Sequence, residues 1–278
     1  MNLLQAVLLG VVEGLTEFLP VSSTGHLTIV EQLLGLPPGD PGVTAFTAVI
    51  QIGAIIAVII YFRSDIVALI TAWVRGLTDP HARRQPEYRT AWYVIAGSIP
   101  IGIVGLAAKD LVSGPLRTLW VVAVALIAWS AVMYLAERAA RQRRGERDLR
   151  LLDALVIGLV QCVALIPGVS RSGATISAGL FRGFDRTTAT RISFLLSIPA
   201  LIAAGGEQAI SEGGAISTSV GWGATTVATV VSFLVGYASI AWLLRLVARR
   251  PITVFIGYRI VLGVALLVAL STGLLAAQ

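Results

Sequence analysis

The chain has 278 residues, 56% hydrophobic and only 13% charged, with a mean hydropathy of +0.85. A soluble domain carries about 25% charged residues, so these values exclude an ordinary water-dissolved globule and make a bilayer the main solvent. The net charge of +6 does not read as a nucleic-acid surface, because the arginines fall between apolar runs; the single cysteine, Cys162, excludes an intrachain disulfide and a cysteine-based metal site.

The first stretch, Met1–Ile29, is apolar but rich in Gly, Ser, Thr and Pro, and carries Glu13 and Glu17 in mid-run. It has no basic leader and does not resemble a cleaved signal peptide. It reads as a broken or re-entrant helical hairpin, which is tolerated only where protein or a cavity covers the exposed backbone. Uncharged runs follow at Pro41–Phe62, Thr90–Ala108 and Thr118–Ala136. A spanning helix needs roughly 20 such residues. Ala154–Leu180 is a second stretch of the hairpin kind. Further spans are expected at Ile192–Gly206, at Gly213–Leu244 and from Pro251 to the C-terminus, the last broken only by Arg259. The expected fold is an all-α polytopic membrane protein with about six transmembrane helices plus two re-entrant helical hairpins.

The arginines orient these spans. Arg63, Arg75, Arg83, Arg84 and Arg89 lie in one loop and Arg138, Arg141, Arg143, Arg144, Arg147 and Arg150 in the next. Arg182, Arg186 and Arg191 follow, then Arg245, Arg249 and Arg250. The alternate loops carry only Lys109 and Arg117. The positive-inside rule makes 63–90, 137–150, 182–191 and 245–250 cytoplasmic, and 30–45, 109–117 and 207–220 external. The basic 137–150 loop then faces membrane lipid, not nucleic acid.

The two hairpin stretches match at a constant spacing. Gly10, Val12, Ser22 and Gly25 pair with Gly158, Val160, Ser170 and Gly173, while Glu13 meets Gln161 and Thr24 meets Ser172. Phe46 and Ile50 in the following span pair with Phe194 and Ile198. The spans that follow run in opposite directions, which predicts an inverted-topology repeat. The expected organisation is one integral domain over 1–278, with repeats at approximately 1–136 and 151–278 joined by the cytoplasmic loop 137–150. Inverted repeats with discontinuous helices place their site near the bilayer midplane.

Glu13 and Glu17 are one helical turn apart and share a face. Carboxylates in an apolar segment point to function by default. They fit a divalent cation completed by substrate phosphates, or a general base. Pro20 ends their helix, and Ser22, Ser23 and Thr24 then offer hydroxyls and backbone N–H groups suited to an anion. His26 beside them fits a nucleophile, a general acid or an inert interfacial histidine, and its setting favours function. In the second stretch Arg171 is an always-charged fork for phosphate. Ser170, Ser172 and Thr175 add donors around it. The bland alternative is that Arg171 only neutralises Glu13 or Glu17. Arg259, beside Tyr258, suits a structural role as well as a catalytic one.

Over EGLTEFLPVSSTGH at Glu13–His26 and PGVSRSGAT at Pro167–Thr175, the sequence resembles the undecaprenyl-diphosphatase family of bacterial inner membranes, also called bacitracin-resistance proteins. The resemblance extends over most of the chain. It implies a multi-pass inner-membrane enzyme that removes the terminal phosphate of undecaprenyl diphosphate, regenerating the carrier lipid for peptidoglycan, with dependence on Mg²⁺ or Ca²⁺. It puts the family's acidic pair at Glu13 and Glu17, its serine–histidine stretch at Ser22, Ser23 and His26, and its arginine motif at Ser170, Arg171, Ser172 and Thr175. The residues leave Ser23 and His26 both open as nucleophile, with His26 activating water as a third route. A transporter or lipid flippase is the competing function, because inverted repeats with broken helices also serve alternating access. A purely structural subunit leaves Glu13, Glu17 and Arg171 without purpose. Partners are the polyprenyl diphosphate and membrane lipids, and a homodimer is open to the chain.

Overall fold

The computed structural model describes residues 1–36 and 40–276, with backbone alone for 113 and 208–219. The chain opens with helix α1 (Leu3–Thr16), a turn, and α2 (Ser23–Leu33). Asn2 caps α1 by accepting from Gln5 N–H, and Gln5 answers through its side chain, a reciprocal capping box. Next come α3 (Pro41–Tyr61), α4 (Arg63–Thr78), α5 (Pro86–Ala107), the short α6 (Lys109–Ser113) and α7 (Leu119–Ala139). The second half repeats the rhythm with α8 (Leu151–Gln161), a tight turn, α9 (Arg171–Phe181), α10 (Arg186–Ser219), α11 (Trp222–Val247) and α12 (Ile256–Ser271).

Among the described residues, six helical segments are long and apolar enough to cross a membrane: Pro41–Tyr61, Pro86–Ala107, Leu119–Ala139, Arg186–Glu207, Trp222–Val247 and Ile252–Ser271. The chain is an all-α, multi-pass membrane protein. Several boundaries differ from the sequence expectation; α10, for one, begins at Arg186, inside the loop expected at 182–191. The external loop expected at 207–220 is helical in its backbone to Ser219, because Glu207 and Glu212 mark a change of solvent and not a break in helix propensity. The span expected from Gly213 begins at Trp222, after Gly221 with φ 84°. The loop expected at 63–90 contains α4, hidden from a search for uncharged runs by Arg63, Asp65 and Arg75. The loop expected to be external at 30–45 includes 37–39, which lie outside the described residues.

Small residues let the short helices sit against the spans. A Cβ on Gly10 of α1 would stand 2.5 Å from the Ala228 carbonyl oxygen of α11, and one on Gly158 of α8 only 2.0 Å from the Gly97 carbonyl oxygen of α5. In lipid, association rests on such close packing more than on a hydrophobic drive between helices. Phe18, just past α1, meets Phe194 of α10 edge-on at 5.5 Å, and Phe194 meets Phe62 at 6.0 Å. These buried rings wedge the first turn against the core.

The arginine-rich loops gather at one end. Asp153 accepts from Arg144, from Arg182 Nε at 2.7 Å and from Arg150 N–H at 3.1 Å. Arg191 pairs with Asp65 at 2.7 Å and Glu146 at 3.3 Å. Glu137 binds Arg186 and accepts from Ile252 N–H. Lys109, in a loop expected on the other face, pairs instead with Glu207 at 2.7 Å.

Candidate active site

The turn after α1 and the turn after α8 each close on a serine with an unusual backbone. Ser22 has φ 78° and Ser170 φ 77°. A non-glycine residue there costs on the order of 1–3 kcal/mol and persists only where its surroundings enforce it. Here each serine caps the helix that follows, Ser22 Oγ accepting from Gly25 N–H at 3.4 Å and Ser170 Oγ from Gly173 N–H at 3.2 Å. Each also crosses to the other turn. Ser22 Oγ accepts from Gly168 N–H at 3.0 Å, and Ser170 Oγ donates to the Leu19 carbonyl at 3.4 Å. The N-terminal ends of α2 and α9 therefore meet, and both helix dipoles favour an anion at that point.

Glu17, the last residue before the first turn unwinds, is buried between them. Its Oε2 accepts from Ser23 Oγ at 2.5 Å, and its Oε1 lies 3.1 Å from Arg171 Nη2. Ser23 and Arg171 are the first residues of α2 and α9, so the turn geometry that strains Ser22 and Ser170 also aims this pair. The side chains of Glu17 and Arg171 are 6% and 14% exposed. Arg171 Nη2 is close enough for an ion pair but makes no aligned hydrogen bond, which leaves its N–H groups for another oxygen.

Glu13 sits one turn earlier on α1, and its Oε1 is buried without a hydrogen-bond partner among the described residues. An uncompensated buried carboxylate oxygen beside a second carboxylate is the donor set a hard divalent cation takes. The described residues hold no group of three or more His, Cys, Asp or Glu able to form a cage. The donors thus fit a cation whose shell is completed by phosphate oxygens.

His26 is engaged at both ring nitrogens. Its Nδ1 lies 2.7 Å from the Ser22 carbonyl and its Nε2 2.5 Å from Tyr258 Oη. Among the hydroxyls expected to contact phosphate, Ser172 lies 3.1 Å from Ser170 Oγ and is buried. Thr24 is exposed on the outer face of α2. Thr175 is turned away, with its hydroxyl donating to the Arg171 carbonyl at 2.8 Å and meeting Ser193 Oγ at 2.5 Å.

Arg259 of α12 is the residue whose role the sequence left most open. It is 0% exposed, and it pairs with no carboxylate among the described residues. Nη1 donates to the Pro20 carbonyl at 2.9 Å, while Nη2 donates to the carbonyls of Gly168 at 2.9 Å and Val169 at 3.2 Å. Nε donates to Ser130 Oγ of α7 at 3.1 Å. One guanidinium thus fastens both turns by their backbones. The only sequence signal for it was a charge inside the last apolar run.

The family model described as bacitracin resistance protein BacA matches residues 6–265. The chain is 58% identical over 277 residues to undecaprenyl-diphosphatase 3 of Frankia casuarinae, covering 100% of both chains. It is 54% identical to an undecaprenyl-diphosphatase of Cutibacterium acnes, covering 96% of each. It is 50% identical over 280 residues to the undecaprenyl-diphosphatase of a Mycobacterium species, strain KMS.

Proposed function

The chain belongs to the bacitracin resistance protein BacA family, and from that footing we propose that it is an undecaprenyl-diphosphatase of the bacterial inner membrane. It releases the terminal phosphate of undecaprenyl diphosphate and leaves the monophosphate, the carrier lipid for cell-wall synthesis. The observation that carries a mechanism is the line Ser23–Glu17–Arg171, with hydrogen-bond contact at one end and an ion pair at the other.

In this reading Ser23 is the nucleophile. Its Oγ forms a bond to the terminal phosphorus, its proton passes to Glu17, and the bridging P–O bond breaks to free undecaprenyl phosphate. The short contact with Glu17 favours Ser23 over His26 for that step. Arg171 and the N-terminal amides of α2 and α9 hold the non-bridging oxygens, on which charge accumulates. Water then attacks the phosphoserine phosphorus, the P–Oγ bond breaks, and Ser23 takes its proton back from Glu17 as inorganic phosphate leaves. With Nδ1–H held by Ser22, Nε2 is the basic atom of His26, and because it meets Tyr258 Oη it takes that water's proton through the tyrosine hydroxyl. Ser22 and Ser170 keep the two turns joined. Thr24, Ser172 and Thr175 support the phosphate site at longer range. Glu13 and Glu17 would hold the Mg²⁺ or Ca²⁺ ion, which when bound neutralises phosphate charge.

We also read the molecule as a single integral domain of two inverted repeats, 1–136 and 151–278, joined by 137–150. The turns after α1 and α8 are the tips of re-entrant hairpins meeting near the midplane. The matching positive φ of Ser22 and Ser170 supports this. So does the matching close approach of Gly10 and Gly158 to a neighbouring carbonyl.

The test is release of inorganic phosphate from undecaprenyl diphosphate by the purified full chain in detergent. Release should stop with EDTA and return with Mg²⁺ or Ca²⁺. Glu17→Gln and Ser23→Ala should each lower kcat on the order of 10²–10⁴-fold, the usual worth of a positioned base or nucleophile. Absence of release from any polyprenyl diphosphate would refute the function, and full activity in Ser23→Ala would refute the nucleophile.

A further inference from the structure

His26 has two ring nitrogens and both are engaged. The Ser22 carbonyl oxygen only accepts, so Nδ1, 2.7 Å away, carries the hydrogen. In the neutral ring Nε2 is then a bare acceptor, and the Tyr258 O–H, 2.5 Å away, donates to it. The two rings also stack, with centroids 5.6 Å apart and planes within 17°. Tyr258 is 51% exposed, while its neighbour Arg259 is fully enclosed and pinned to both turns. The anchoring of Arg259 therefore holds Tyr258 at a set height over His26. The contact joins residues at opposite ends of the chain.

We propose that Tyr258 is a positioning residue for His26, holding its ring through Nε2 and linking that nitrogen to the attacking water. The catalytic consequence rests on the diphosphatase reading, whereas the hydrogen bond stands on the geometry alone. When the attacking water gives its proton to Tyr258 Oη, the hydroxyl's own hydrogen passes to Nε2 and the bond reverses. Nε2–H then donates to Tyr258 Oη, so the same hydroxyl serves both protonation states and needs no other partner.

The experiment compares the full-length protein with Tyr258→Phe, which keeps the stacked ring and removes only an oxygen at a half-exposed position. The probe is diethyl pyrocarbonate, which modifies bare imidazole nitrogen, read residue by residue by mass spectrometry. The chain's other histidine, His81, is exposed and serves as the internal reference. In Tyr258→Phe, His26 should be modified several-fold faster while His81 reacts at an unchanged rate. In the phosphate-release assay kcat should fall about tenfold, the equivalent of roughly 1.4 kcal/mol, with KM within about twofold. The pH limb of kcat that follows His26 should be displaced. In a His26→Asn background Tyr258→Phe should change nothing further. Equal modification of His26 in both proteins would overturn the hydrogen bond. Faster modification with unchanged kcat, or an additive loss in the double variant, would overturn the positioning role. A wild-type protein that releases no phosphate would remove the diphosphatase reading, and the modification rates would still judge the hydrogen bond.

Discussion

Arg259 carries a full charge into the interior and satisfies it with three backbone carbonyls and one hydroxyl. Removing it would strand all four acceptors, each costing about 1–3 kcal/mol when left buried and unpaired. Arg259→Met should therefore lower stability in detergent by about 3 kcal/mol or more, measured by thermal unfolding. Phosphate release should fall on the order of 10²-fold even under conditions where the variant stays folded, because the two turns lose their register. Lysine should rescue little, since one ammonium has no fork to span Pro20 and Gly168. The role of Arg259 was not legible beforehand because all its acceptors are uncharged backbone and serine oxygens, which a search for charged partners passes over. Glu17, Ser23 and Arg171 were legible because ionic and hydroxyl residues stand out inside apolar runs, and their motifs sit in single short stretches. Tyr258 is missed for a different reason: its partner His26 is brought to it only by the packing of the last helix. Thr175 lay within the motif, yet its hydroxyl faces Ser193. It fastens the start of α9 to α10, a contact that no local spacing announces.

At the scale of elements, runs of roughly 20 apolar residues were enough to find the six spans, because lipid demands that length whatever the detailed sequence. The amphipathic α4 escaped. Its apolar residues Val67, Ile70, Val74 and Leu77 recur at helical spacing but share the segment with Arg63, Asp65 and Arg75. Its C-terminal turn is capped from outside, with Arg83 Nε donating to the Gly76 carbonyl at 2.7 Å. The α8–α5 contact gives the sharpest element-level prediction. A side chain at position 158 has no room beside the Gly97 carbonyl. Gly158→Val should force the two helices apart and destabilise the protein by about 1–3 kcal/mol or more. The loss should show as a lowered Tm in detergent and as reduced phosphate release, since α8 carries the second turn. Gly158→Ala should show a milder form of the same loss.

Across the whole molecule, the arginine-rich end is tied by ion pairs that cross from one half to the other: Arg191 of α10 reaches Asp65 of α4, and Arg186 reaches Glu137 of α7. Asp153 is the enclosed centre of a related cluster, with Arg144 and Arg182 both on it. Asp153→Asn keeps the shape but halves the acceptors facing two partly exposed guanidiniums. The loss should be about 1–3 kcal/mol, checked by chemical unfolding in detergent, with KM for the diphosphate unchanged. The joint between the turns has a mechanical consequence of another kind. Alternating access asks two halves of a membrane protein to rock about a central binding site, opening a gap first on one face and then on the other. Arg259 is latched at that centre to Pro20 on one half and Gly168 on the other, while Ser22 and Ser170 clasp across the same seam. Any rocking that parted the two turns would strip a buried cation of its acceptors. The bonds across the seam give it the form of a weld and not of a hinge.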